Sequence, residues 1–168
     1  RVENNINITR YKEQGDSEFN NLNKNQYFIL PSFSVKKSLN TKSNIRFAAS
    51  KTITRPILIE YMPITYINPD NENIIGNKDL KNSENYNLDL KYEIFPTNKE
   101  LLSVNLFAKK IDNAIERGYT ASGNSNGVAI TFFNAENAVL AGAEVEGIMN
   151  LSRISESLNK WSLGANAT

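Results

Sequence analysis

Asn85-Tyr86-Asn87-Leu88-Asp89-Leu90-Lys91-Tyr92-Glu93-Ile94-Phe95 alternates strictly between two characters. Tyr86, Leu88, Leu90, Tyr92 and Ile94 occupy every second position, and Asn87, Asp89, Lys91 and Glu93 fill the gaps. Successive side chains on a strand point to opposite faces, whereas a helical period of 3.6 would scatter both sets around the helix. The spacing predicts a strand with one apolar and one charged face. Pro96 ends it, because proline has no N–H to give to a ladder. Thr97 to Lys99 make a short turn, and Leu102, Val104 and Leu106 resume the apolar face.

Working outward, Val2 to Arg10 alternates loosely, with Val2, Asn4, Ile6 and Ile8 on one face. Tyr11 to Asn25, with Gly15, Asp16 and several Asn, reads as a loop. Gln26 to Leu39 reads as the second strand, and Pro31 inside it predicts a bulge or weakened pairing. Asn40 to Ser43 is a tight turn, after which Ile45, Phe47 and Ala49 alternate with polar or small residues up to Ile53. Thr54 to Glu84 is a long connection carrying Pro56, Pro63, Pro69 and Gly76; a loop of that length is usually functional or disordered. Past the opening hairpin, Leu101 to Glu116 turns polar after Ala108, and Arg117 to Gly127 is a further loop. Val128 to Met149 is one long strand, Leu151 to Lys160 a turn region, and Trp161 opens the last run. About seven strands result, joined by connections that are long and short by turns. A soluble meander has no reason for that parity. An outer-membrane barrel does, with short turns at one end and long loops at the other.

Composition narrows the chemistry. The chain has 168 residues, the size of one ordinary domain, with no Cys and no His. Disulfide staples, thiolate or imidazole metal sites and a Ser-His-Asp triad are therefore impossible within it. A net charge of +1 offers no electrostatic footprint for nucleic acid. Asn accounts for 26 residues, which fits polar loops or a biased genome equally well. No apolar leader opens the chain, and no run approaches the roughly 20 apolar residues of a membrane helix. Arg1 falls as if inside a strand and the last alternation is still running at Thr168, so a fragment of a longer protein is expected.

Alternation alone leaves two readings. In a soluble sandwich the apolar face is the core; in a membrane barrel it meets lipid and the polar face lines the lumen. Tyr86 and Tyr92, with Phe95 near the second, stand at the ends of the apolar stripe, where interfacial girdles belong. Ala49, Ala108, Ala143 and Gly147 are small for a sandwich core. Both observations favour an all-β, antiparallel up-and-down meander, 1–168 being a partial transmembrane barrel. The alternative is a soluble secreted or periplasmic all-β binding module.

The residues also carry a resemblance. Gly76-Asn77-Lys78-Asp79-Leu80-Lys81-Asn82-Ser83, followed by Asn85 to Pro96, resembles the C-terminal barrel of TonB-dependent outer-membrane receptors of the Bacteroidetes type. Phe47 to Pro56, Leu106 to Glu116, and Phe133 to Ala138 with Gly142 to Glu146 and Asn150-Leu151-Ser152 agree in the same order. Each motif is weak alone; four in register are specific. Lys78 and Ala141 depart from the pattern, standing where Pro and an aromatic are common. The resemblance implies part of an importer of a scarce solute (a metal chelate, an oligosaccharide or a cofactor) in the Gram-negative outer membrane. It is not an enzyme on this reading and needs no cofactor of its own. The implied partners are outer-membrane lipid, the remaining barrel and its plug, a TonB-type energising complex acting through parts outside this chain, and, as an open alternative, a surface lipoprotein.

Candidate site residues come from the long connection. Arg55, Glu60, Tyr61 and Tyr66 are the expected ligand contacts, weighed against a role in bracing the loop on the barrel rim. Asp70, Glu72 and Asn73 hint at a calcium loop, but Ile75 stands where the turn needs Gly. Gly123 to Gly127 lacks the context of a phosphate loop. Asp89, Glu93, Glu144 and Glu146 read as lumen-facing groups rather than an acid–base pair.

Overall fold

The computed structural model describes residues 1–12, 17–121 and 127–168. The strands are β1 (Val2–Tyr11), β2 (Asn20–Ile29), β3 (Ser32–Asn40), β4 (Ser43–Thr54), β5 (Thr65–Ile67), β6 (Asn73–Ile75), β7 (Ser83–Ile94), β8 (Leu101–Ala121), β9 (Val128–Asn150) and β10 (Ser162–Ala167), with one short helix, α1 (Leu58–Tyr61), between β4 and β5. β1 and β2 form a two-stranded sheet; the larger sheet runs β3-β4-β7-β8-β9-β6-β5, with β10 also on β9. β5 and β6 lie within the long connection, and β2 and β3 are separated only by Leu30 and Pro31. Seven runs therefore remain for the wall, but their connections depart from the expected alternation: the one between β8 and β9 (122–127) is no longer than that between β7 and β8 (95–100), and the one between β9 and β10 (151–161) is longer than either. β8 and β9 hold 21 and 23 residues, about twice the 9–11 that a tilted strand needs to cross a bilayer.

Three boundaries differ from the sequence expectation. β2 begins at Asn20, not Gln26, because Asn21, Asn23 and Asn25 alternate with Leu22, Lys24 and Gln26 in full register with β1; pairing overrides the turn preference of Asn. β8 extends to Ala121 rather than Glu116. The long connection is ordered through α1, β5 and β6. The runs containing Gly15 and Asp16, and Gly123 to Asn126, lie outside the described residues.

The chain divides into two compact units. One comprises Ser32–Lys51, Tyr86–Lys110 and Val139–Thr168. Here β3 pairs antiparallel with β4 (Phe33↔Ala49, Val35↔Phe47), and the Asn40 side-chain oxygen accepts the Lys42 N–H at 2.8 Å to close the turn between them. The alternating stretch of β7 decides the orientation of the faces. Leu88 and Leu90 are 47% and 40% exposed, while Asn87, Asp89, Lys91 and Glu93 are half-buried. Leu102, Val104 and Leu106 are likewise exposed, and Ser103 between the first two is buried. The polar face is knit by charge: Glu93 lies 3.9 Å from Arg46 and 3.7 Å from Lys91, which is 4.0 Å from Glu146. A soluble sandwich would bury Leu88 and Leu90 and expose Glu93; the observed inversion is that of a barrel wall and overturns the soluble alternative.

The other unit comprises Arg1–Pro31, Thr52–Asn85 and Ile111–Ala138. The β1–β2 hairpin shows the same inversion: Ile6 and Ile8 are exposed, and Asn5, Asn7 and Thr9 are half-buried. Against that polar face lies the long connection, whose own core is Tyr61, Met62 and Leu80, packed by Tyr11, Leu22, Ile64, Ile115 and Phe132. Its β5–β6 hairpin docks by parallel pairing of β6 with β9, Ile74 opposite Ile130 and Ile75 opposite Thr131. Gly76 follows because a Cβ there would stand 2.0 Å from the Met62 carbonyl oxygen, a backbone approach only glycine permits.

Candidate functional site

The long connection meets the β1–β2 hairpin at a polar recess of about 50 Å³, room for a few water-sized groups. Strand parity builds its floor. Asn5 and Asn7 alternate with exposed Ile6 and Ile8 on β1, and Lys24 and Gln26 fall on the matching face of β2. The connection supplies the opposite wall with Arg55, Tyr61 and Asn82.

Tyr61 is buried at 6% exposure. Its hydroxyl accepts the Asn7 side-chain N–H at 2.9 Å and shares a hydrogen with Thr9 Oγ1 at 2.7 Å. Lys24 Nζ stands 5.8 Å from the Tyr61 ring centroid and donates to the Leu80 carbonyl at 2.9 Å. Asn82 donates to Gln26 at 3.0 Å. Arg55 pairs with Glu3 and lies 6.0 Å from the Phe28 ring centroid. The recess thus presents amides that both donate and accept, with its two cations partly committed to protein partners.

Of the four sequence candidates, Arg55 and Tyr61 come together here. Glu60 and Tyr66 do not line the recess. The Glu60 carboxylate accepts the Ile57 N–H at 2.8 Å and so caps α1. Tyr66 is on β5, half-buried; burial, with some help from Glu60, raises its phenol above the usual tyrosine range against the opposing pull of Arg117. Asn5, Lys24, Gln26 and Asn82 were missed by sequence reasoning; exposed Ile6 beside Asn5 and exposed Tyr27 beside Gln26 were usable signals, but Lys24 stands between Asn23 and Asn25 and Asn82 lies in the connection.

The far side of the connection is held by paired amides. Asn77 donates to the Phe132 carbonyl at 2.9 Å, and Asn134 exchanges bonds with Lys81, accepting at 2.8 Å and donating at 3.0 Å. Asn134 and Ser83 both donate to the Asn113 carbonyl at 2.9 Å; Asn113 itself has φ 55°, which Asn tolerates better than most residues. Glu72, from the calcium-like run, is 3.3 Å from Arg117 and accepts from Asn68 at 2.8 Å. Among the described residues no cluster of three His, Cys, Asp or Glu could hold a metal ion.

In the other unit, a concavity of about 410 Å³ lies among turn residues including Thr97, Lys99, Asn150 and Asn159. Its charges satisfy each other: Arg153 donates to both oxygens of buried Glu100, at 2.6 and 3.0 Å, and holds that carboxyl below the usual carboxylate range. The recess beside Tyr61 is the better candidate for a solute.

The profile of the outer membrane protein beta-barrel family matches residues 1–168. No curated protein matches the sequence. Among solved structures, the siderophore receptor PirA from Pseudomonas aeruginosa is similar with a TM-score of 0.65 at 15% identity, over 89% of this chain and 28% of that one. A double mutant of the Serratia marcescens hemophore receptor HasR, in complex with its hemophore HasA and heme, gives a TM-score of 0.66 at 13% identity, over 78% and 21% of the two chains. A mutant of the P. aeruginosa ferric enterobactin receptor PfeA, in complex with enterobactin, gives 0.57 at 18%, over 78% and 21%. At such identities the likeness is one of fold, and this chain spans only 21 to 28% of the length of those receptors.

Proposed function

This chain belongs to the outer membrane protein beta-barrel family, and we propose that it is the part of a TonB-dependent receptor, of the Bacteroidetes type, that supplies barrel wall and a solute-selecting loop. Its place is the outer membrane, and its family is one of barrels rather than enzymes. The solute is a scarce large one: a metal chelate, an oligosaccharide or a cofactor. Import draws on a TonB-type energising complex acting through a plug and coupling segment outside this chain; a surface lipoprotein is a further partner in this reading.

The observation that carries it is the inward fold of residues 55–82. The connection is laid on β1, β2 and β9 through Tyr61, Leu80, Asn77 and Lys81. A wall loop that lies on the lumen-type face stands in the path of anything entering from that end. Arg55 and Tyr61, with Lys24, are its proposed solute contacts; Glu60 and Tyr66 keep their place in the proposal only as groups that shape the loop.

The test is uptake by the full receptor, with a ferric catecholate, haem and a malto-oligosaccharide each supplied as the limiting nutrient. Lys24→Ala with Arg55→Ala should weaken uptake of the solute in use about tenfold or more, since bonds to charged groups contribute about 1.5–3 kcal/mol. Insertion, read by the heat-dependent gel mobility of the barrel, should be unchanged. Normal uptake by a normally inserted variant would remove the recess from the solute path.

A further inference from the structure

The recess beside Tyr61 holds more hydrogen-bond donors than its own residues use. Its acceptors are largely taken. Asn7 Oδ1 accepts from Thr9 at 3.0 Å, Gln26 Oε1 accepts from Asn82 at 3.0 Å, and the Tyr61 hydroxyl accepts from Asn7. Its donors are largely not. Among the described residues the side-chain nitrogens of Asn5 and Gln26 give no bond. Arg55 carries five N–H groups and gives one to Glu3. Lys24 carries three and gives one, to the Leu80 carbonyl.

Charge is unbalanced in the same direction. No acid lines the recess, and the nearby Glu3 carboxylate is shared between Arg55 and Arg1. Lys24 is half-buried, yet among the described residues it pairs with no carboxylate; its contacts are the neutral Leu80 carbonyl and the Tyr61 ring. A cation drawn out of water is ordinarily paired.

We propose that the recess takes one carboxylate of the imported solute, held by Lys24 and by unused N–H groups of Arg55, Gln26 and Asn5. This rests on the import reading above and narrows it. The solute is an acidic one: a carboxylated chelate, a uronate-bearing oligosaccharide or a carboxylated cofactor, not a neutral member of those classes. A carboxylate fits better than a phosphate because one half-buried ammonium stands uncompensated, which matches a single negative charge rather than the nearly two of a phosphate. Space agrees, since about 50 Å³ admits a small planar group and leaves the body of the solute outside. Bonds from ammonium and guanidinium groups to a carboxylate are also about twice as strong as neutral ones.

The experiment uses the full-length receptor in detergent with three small probes, propionate, propionamide and methyl phosphate, at equal ionic strength. Hydrogen exchange over β2 and 55–82 reads occupancy. Propionate should slow exchange there in the wild type, and propionamide should not. Lys24→Gln should weaken the propionate response about tenfold, and Lys24→Arg should keep most of it. Both variants should retain the heat-dependent mobility of a folded barrel. No response to propionate, or an equal response to propionamide, overturns the proposal in the wild type alone. An unchanged response in Lys24→Gln overturns it as well. Stronger protection by methyl phosphate overturns the assignment to a carboxylate in favour of a phosphate. The import reading fails separately: normal uptake by Lys24→Gln, with its propionate response lost, removes the recess from the solute path while the carboxylate site stands.

Discussion

Within the single strand β9, Ala129 and Ile130 are 2% exposed, whereas Val139 and Val145 are 72% and 45% exposed. β8 shows the same contrast, with Ala114 buried and Leu102 and Leu106 exposed. Near Ile130 the apolar side chains meet a folded loop of the same chain. Near Val145 they face outward next to half-buried Glu146, and what covers them in the outer membrane is lipid. The difference teaches that hydrophobicity along a strand does not by itself say inside or outside; the covering medium does.

The contrast can be broken most sharply at Leu80, which is 3% exposed in the core of the connection. Leu80→Asp should cost more than about 4 kcal/mol, because it leaves a charge buried without a partner. Denaturant unfolding of the full receptor refolded into vesicles measures this. Leu90→Arg comes next, at about 2–4 kcal/mol if the side chain lies at the bilayer midplane. The same exposed site in water would cost within about 0.5 kcal/mol, so a neutral result in vesicles would erase the distinction between the two regions.

Tyr61→Phe sharpens the picture at finer scale. It removes the hydroxyl that joins the connection to Asn7 and Thr9 while keeping the ring in its core, and should cost about 1–2 kcal/mol. Faster hydrogen exchange over 55–82, with the rest of the barrel unchanged, is the expected signature. The smallest effect is confined to acid. Glu100 is held below the usual carboxylate range first by its hydrogen bond from Arg153. A folded value below the unfolded one means that the pair's contribution is fully present above the unfolded carboxylate pKa and is lost as pH falls through the lowered folded value. Acid unfolding of Glu100→Gln should accordingly lack the fraction of pH dependence that wild type shows in that window; identical profiles would show that the turn is held without the pair.

Much of this was legible in the alternation. β7 reads directly from Tyr86 to Ile94, whereas β9 reads as one long strand only by keeping the parity of the connections, since its alternation is clear only near Ala143 to Met149. β2 was partly hidden: Asn21, Asn23 and Asn25 signal turns when judged by residue type, yet they occupy the outward positions of a paired strand. α1, β5 and β6 are 4, 3 and 3 residues long, too short for any periodicity to register. Arg55 and Tyr61 were found by scanning the connection. Asn5, Lys24 and Gln26 were not, because their meaning depends on a loop that folds back onto them from another part of the chain.

The pairing of β6 with β9 also constrains how the protein can be assembled. Asn77 and Phe132, which join across this contact, are 55 positions apart, and β7 and β8 both intervene. Closing so long a loop has an entropic cost that only later contacts offset. The connection cannot therefore complete its packing until β9 has joined the sheet. Every earlier assembly intermediate lacks the Phe132 and Ile130 side of that packing, which makes this segment the natural point of attack for quality-control proteases and the natural client for periplasmic chaperones.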